Sequence, residues 1–142
     1  MKKGFTLVEI MIVVALIAIL VGIAIPNVLG VKTSGNISQA KSELAALQAA
    51  LESYYMSTGA YPNKLKKLTK AVPNIIGTKL PTDPFVTDVN YGYDLSGSKV
   101  YFVVWSAGTT GLATAKVNNR GRVIESDSSC IFISSGDRDT TP

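Results

Sequence analysis

The hydrophobic pattern of the chain changes period once, and that change divides it. Residues 5–25, FTLVEIMIVVALIAILVGIAI, are apolar apart from Thr6 and Glu9. As a helix rising about 1.5 Å per residue, this stretch covers roughly 31 Å, the thickness of a bilayer's hydrocarbon core. From Asn36 to Thr58 apolar residues recur instead at alternating steps of three and four: Ile37, Ala40, Leu44, Leu47, Leu51 and Tyr54. That spacing predicts an amphipathic helix over 36–58 with one stripe for a core. Lys41, Glu43, Gln48 and Glu52 fall mostly off the stripe, and Tyr55 and Met56 are left for a neighbouring chain. Gly59 and Tyr61-Pro62 stop the helix.

Gly22, Pro26, Gly30 and Gly35 punctuate the join between the two patterns. A helix proline costs about 3 kcal/mol and a glycine about 1, so two readings stand. Either one long helix is kinked or locally melted over 21–35, or a second helix starts afresh with Ser34 or Asn36 as its N-cap. Residues 59–88 form a connector. Leu65, Leu68 and Val72 predict a short helix there, with Lys64, Lys66, Lys67 and Lys70 on its other faces. Pro73, Pro81 and Pro84 make the rest extended and turn-rich.

Residues 89–134 read as an antiparallel sheet. Tyr91, Tyr93 and Leu95 alternate with polar positions, as in a half-buried strand. After the turn Ser96-Gly97-Ser98, the run Lys99 to Trp105 is apolar on both faces and predicts a central strand. One face would meet the long helix, the other a loop or a second subunit. Turns at 107–111 and 118–121 separate further strands at Leu112–Val117 and Arg122–Ser126. Ile131-Phe132-Ile133 is a candidate for a fifth, edge strand, and 135–142 reads as a tail whose last six residues look disordered. The expected fold class is α+β: a long N-terminal helix packed on a small antiparallel sheet of about four strands.

Composition removes most chemistry. There is no histidine and one cysteine, Cys130. Ser-His-Asp and Cys-His catalysis, Cys/His zinc sites and an intramolecular disulfide are excluded, and no enzyme activity is expected. The net charge of +4 falls to about +2 without Lys2 and Lys3, too mild to argue for nucleic acid. Lys2 and Lys3 instead hold the short N-terminal end in the cytoplasm and send the rest outward. The four lysines of 64–70 suit an acidic partner or a phosphate backbone, and equally a plain solvated face. The residue that most needs explaining is Glu9, because a carboxylate in hydrocarbon costs about 2.5–3.5 kcal/mol at a helix centre and needs a partner.

Lys3-Gly4-Phe5-Thr6-Leu7-Val8-Glu9, followed by the unbroken apolar run to Pro26, resembles the N-terminus of type IV prepilins and pseudopilins. The core is too long for a secretory signal peptide, whose apolar region is about 7–15 residues, and a plain single-span anchor leaves Glu9 without a role. The resemblance implies a leader peptide, 1–4, removed by a prepilin peptidase between Gly4 and Phe5. It also implies methylation of the new Phe5 amine, a filament-assembly role for Glu9, and a globular head over 26–142. Residues 5–25 would anchor a single-pass inner-membrane protein in lipid, head outside, and then form the core of a homo-oligomeric helical filament. Implied partners are minor pilins or pseudopilins and an inner-membrane assembly platform with its ATPase. Glu9 would pair with its own Phe5 amine or with that of an adjacent subunit. Leu80-Pro81-Thr82-Asp83-Pro84-Phe85 resembles a segment of the major pseudopilins of type II secretion, which favours a periplasmic pseudopilus driving protein export. A surface type IV pilus for adhesion, motility or DNA uptake is the alternative, and a membrane-anchored binding module a lower one. Major pseudopilins hold calcium in a C-terminal loop. Asp127, Asp137 and Asp139 are oxygen donors of the right kind, but 107–111, Ala-Gly-Thr-Thr-Gly, stands where an acidic residue is usual.

Overall fold

The computed structural model describes residues 4–136. By compactness the chain divides into two units, 1–35 and 36–142, each described by itself below. One helix, α1, runs from Leu7 to Thr58. Gly22, Pro26, Gly30 and Gly35 all lie inside it, so the reading with a fresh start at Ser34 or Asn36 is corrected in favour of one long helix. Proline at 26 brings no N–H, so the carbonyl of Gly22 lacks its i+4 donor there. Among the described side chains of the first unit, the large apolar ones such as Leu7, Ile12, Leu16, Leu20, Ile23 and Ile25 are exposed.

The second unit is built on the predicted stripe. Ala40, Leu44, Leu47 and Leu51 are buried, and Ile37 and Tyr54 are half-buried at its two ends. Ala50, one position before Leu51, is also buried and widens the stripe beyond a strict three-four spacing. Each fully buried leucine contributes about 1.5–3 kcal/mol relative to an exposed one. Gly59 closes the helix with a positive φ of 76°, its N–H bonded to the Tyr55 carbonyl at 2.7 Å, an αL stop that a side chain would strain.

The short connector helix is a 3-10 helix, Leu65–Lys70, with Leu65 and Leu68 buried. Val72 lies beyond it and is 85% exposed, a correction to its expected place on the apolar face. The sheet holds five strands, not about four, in two pieces. β1 (Gly92–Leu95), β2 (Phe102–Ser106) and β5 (Ile131–Ser134) make a three-stranded antiparallel sheet in the order β1-β2-β5. Register pairs Leu95 with Phe102, Gly92 with Trp105, and Ser106 with Ile131. β3 (Ala115–Val117) and β4 (Val123–Glu125) form a separate antiparallel pair. β2 starts later than expected because Lys99 is still in the turn, with φ 59°, and bonds back to the Ser96 carbonyl. β5 sits at an edge, as the apolar triplet suggested.

β2 is covered on both faces. Phe102 and Val104 join the stripe of α1 in one core, with Tyr61 edge-on to Phe102 at 4.8 Å. Val103, pointing the other way, packs with Ala113, Ala115, Val117 and Cys130 in a second core. The second face is therefore covered by the chain's own loops, the first of the two expected covers, together with β3. Gly92 leaves the space that the Trp105 ring fills across the strand pair; a Cβ there would overlap the indole.

Candidate functional site

Gly4, Phe5 and Thr6 precede the helix in non-helical backbone and are exposed. Thr6 is the N-cap. Its Oγ1 accepts the Glu9 N–H at 3.2 Å, and the Glu9 carboxylate accepts the Thr6 N–H at 3.5 Å. This reciprocal pair is a capping box, and the Thr6 carbonyl then accepts the first helical bond, from Ile10 N–H. Thr6 was missed as a site residue, although its signal, Thr followed three positions later by Glu at the head of an apolar run, is plain in the sequence. The two partners expected for Glu9, its own or a neighbour's Phe5 amine, arise only after cleavage, since Phe5 carries an amide in the uncut chain. In that state the exposed carboxylate is turned back onto the helix start. Negative charge there also suits the positive end of the helix dipole.

The arrangement joins three features at one end of the chain: an exposed glycine–aromatic bond outside the helix, a helix start locked by its own cap, and an exposed aliphatic surface beyond. Among the described residues, no helix is long and apolar enough to cross a membrane. Residues 5–25 are nonetheless apolar apart from Thr6 and Glu9 over a length that matches a bilayer's hydrocarbon core. Lys2 and Lys3 of the expected leader lie outside the described residues.

In the head, the polar side chains serve the fold. Asp83 of the Pro81-to-Phe85 segment is buried and accepts from Ser106 Oγ at 2.9 Å, Ala107 N–H at 2.7 Å and Phe85 N–H at 3.0 Å. Three donors compensate the desolvation of its charge and tie the connector to the end of β2. Glu43 accepts from Tyr91 Oη at 2.8 Å, and Glu52 from Tyr61 Oη at 3.0 Å. Burial first, and then the bond to Glu52, pushes the Tyr61 phenol up to about 12; burial and Glu43 push Tyr91 higher. Tyr93, raised by burial, donates to the Pro62 carbonyl. Burial also pushes the Cys130 thiol up to about 11, where it donates to the Ser106 carbonyl, so the thiol is protonated at neutral pH as an inert cysteine requires.

The calcium candidates are not brought together by the described residues. Asp127 accepts from Ser129 N–H and from Thr110 Oγ1, each at 3.0 Å, bonds that hold its carboxyl below the ordinary range. Asp137 and Asp139 lie outside the described residues. Among the described residues no group of three or more metal-ligating side chains occurs, and one carboxylate is far from the six to eight oxygens, roughly, that calcium takes. The turn at 107–111 instead packs directly on the β4–β5 loop: Gly108, at φ 65°, leaves no room for a Cβ against the Ser129 carbonyl.

Comparison with known proteins follows this division of the chain. Residues 1–25 match the prokaryotic N-terminal methylation motif, and residues 27–123 match the model of type II secretion system protein G. The chain is 32% identical over 123 residues to a type II secretion system core protein G of Pseudomonas aeruginosa, covering 78% of this chain and 85% of the relative. The protein of the same name from Vibrio cholerae is 31% identical over 122 residues, covering 78% and 82%. That from Escherichia coli is 33% identical over 114 residues, covering 66% and 79%. No solved structure matches. The long helix on a small antiparallel sheet, the methylation motif and these relatives agree: the chain belongs to the type II secretion system protein G family, the family of the major pseudopilins.

Proposed function

We propose that the protein is the repeating structural subunit of a periplasmic pseudopilus that drives protein export in a type II secretion system. The observation that carries this reading is the bare aliphatic surface of α1 between Leu7 and Ile25, where side chains such as Leu7, Ile12, Ile19 and Ile23 are more than half exposed. Such a surface is not stable in water and needs either lipid or other copies of itself. The same surface suits both, so one segment serves first as an inner-membrane anchor and then as filament core. Lys2 and Lys3 hold the leader in the cytoplasm, and the head lies outside the membrane.

On this reading a prepilin peptidase cuts between Gly4 and Phe5, and the Phe5 amine is methylated. The methylation motif over 1–25 and the non-helical backbone at Gly4 and Phe5 support it. Cleavage frees an amine one helical turn from Glu9. In the filament Glu9 leaves its cap for the amine of an adjacent subunit, and the cost of an unpaired charge in an apolar core fixes the register. An assembly platform and its ATPase supply the work of extraction, and minor pseudopilins complete the fibre. Membership of the protein G family favours the secretion pseudopilus over a surface type IV pilus. Intact mass spectrometry tests the processing step: the exported protein should begin at a methylated Phe5, and a chain still carrying Met1 would refute it. Replacing Gly4 by a bulky residue should leave uncut precursor in the membrane.

A further inference from the structure

The turn after β2 and the loop before β5 are fastened to each other by side chains. β2 ends and β5 begins side by side, with Ser106 opposite Ile131. Beyond that pair the turn 107–111 is closed by its own backbone. Gly111 N–H meets the Gly108 carbonyl at 3.0 Å, and Ala113 N–H the Ala107 carbonyl at 3.1 Å. The loop opposite turns on Asp127: Ser129 N–H donates to its Oδ1 and Cys130 N–H to its carbonyl, each at 3.0 Å. Thr110 joins the two. Its hydroxyl donates to Asp127 Oδ2 at 3.0 Å, and its Oγ1 lies 3.0 Å from Ser129 Oγ. With its one proton on Asp127, Thr110 Oγ1 accepts from Ser129 Oγ, and the Leu112 N–H approaches it at 3.5 Å. Both Asp127 oxygens and the Thr110 hydroxyl are thereby engaged within the chain.

This is where the resemblance to the major pseudopilins implies calcium, and the donors differ from what that ion takes. Calcium gathers roughly six to eight oxygens at about 2.3–2.6 Å, carboxylates foremost. Here the turn offers the Thr110 hydroxyl in place of an acidic residue. Each Asp127 oxygen already faces a hydrogen, which an incoming cation would have to displace. The Ser129 carbonyl, an oxygen of the kind the ion uses, is turned against Gly108, where even a Cβ finds no room. We infer that Thr110, Asp127 and Ser129 form a hydrogen-bonded clasp that fastens this loop without calcium, so that it stays closed whether or not the metal is present. Two carboxylates repel and need a cation between them. A hydroxyl and a carboxylate need none, because one donates to the other. The clasp also holds Cys130, the residue after Ser129, in the second core, its thiol donating to the Ser106 carbonyl. It is a property of the head alone and stands whether or not the filament reading does.

Cys130 is the chain's one cysteine and reports on the loop from inside it. Alkylation of a buried thiol tracks how often its cover opens. The test uses the full-length chain in detergent micelles, treated with iodoacetamide in excess EGTA or in millimolar calcium and followed by intact mass. The wild type should react at the same slow rate in both. Thr110→Val, which removes only the hydroxyl's bonds, should react about threefold faster or more, and Asp127→Ala about tenfold faster. Calcium should slow neither. Thr110→Val should melt close to the wild type by circular dichroism, so that its faster labelling reads loop opening and not unfolding. Thr110→Asp sets a second carboxylate against Asp127, so it should react faster than the wild type in EGTA and slow again in calcium. A wild-type rate at least about threefold slower in calcium than in EGTA overturns the clasp and returns the ion to Asp127 and the tail carboxylates. Wild-type rates from both Thr110→Val and Asp127→Ala overturn it as well, as does a Thr110→Asp rate indifferent to calcium. Glu9→Val should react as the wild type does, so that filaments lost in that variant bear on the filament reading alone.

Discussion

Two lengths of one helix behave as opposites. Over 7–25 nearly every residue is aliphatic and the described side chains stand exposed; over 36–58 apolar residues occupy one stripe, and that stripe is buried at Ala40, Leu44, Leu47 and Leu51. Helix propensity does not separate them, because both are α-helical. What separates them is where the apolar area finds a partner. A stripe about 100° wide is satisfied by one sheet, while a helix apolar all round demands partners on every side. The second length is completed within the chain; on the proposed function the first is completed outside it, in lipid or among copies. Mutations should divide the same way: assembly for the first region, folding for the second.

The largest expected effect breaks the comparison at its one polar point. Glu9→Val should still insert, still be cut at Gly4 and still fold its head, yet form no filaments when expressed alone. Normal filaments from that mutant, seen by electron microscopy, would remove the assembly role of Glu9. Next comes the contrast of like residues in unlike surroundings. Leu47→Ala should destabilise the head by about 2–5 kcal/mol through lost burial and a cavity. Ile12→Ala, with a similar loss of volume, should leave head unfolding within about 0.5 kcal/mol of wild type. Equal effects on the denaturation midpoint would erase the distinction between the two lengths.

Asp83→Ala should follow, at about 1–3 kcal/mol for each donor left buried and unsatisfied, with Ser106 Oγ and Ala107 N–H the groups at stake. A further contrast appears at high pH. Tyr61 moves from 10.0 to about 12 in the fold, so the folded state holds its proton more tightly than the unfolded chain. Its stabilisation is complete below pH 10 and is lost as pH rises through about 12, with Tyr91 and Tyr93 shifted in the same direction. Circular dichroism should show the head losing stability across that window, while Tyr61→Phe should flatten the dependence. The smallest effect belongs to Cys130→Ser, within about 1 kcal/mol, since a hydroxyl can make the same bond to the Ser106 carbonyl. In the wild type, alkylation of Cys130 should stay slow until the head unfolds.

Local pattern alone specified the helical character of both lengths, the stripe, the two-faced β2, the turns and the Gly4-to-Glu9 motif, because each depends on spacing within a few residues, whereas it left open whether the two lengths formed one helix. Period and turn chemistry act at that range, and they were legible. The tertiary structure decided the rest. Whether the second face of β2 met a loop, another subunit or a further strand depended on Val103 reaching Ala115 and Cys130, residues a dozen or more positions away. Asp83 showed as a motif residue, but its burial came from Ser106 and Ala107, which no periodicity ties to it. Val72 left its expected face because a 3-10 helix ended before reaching it. Residues far apart in sequence carry no mutual phase, and only packing around a shared core brings them together.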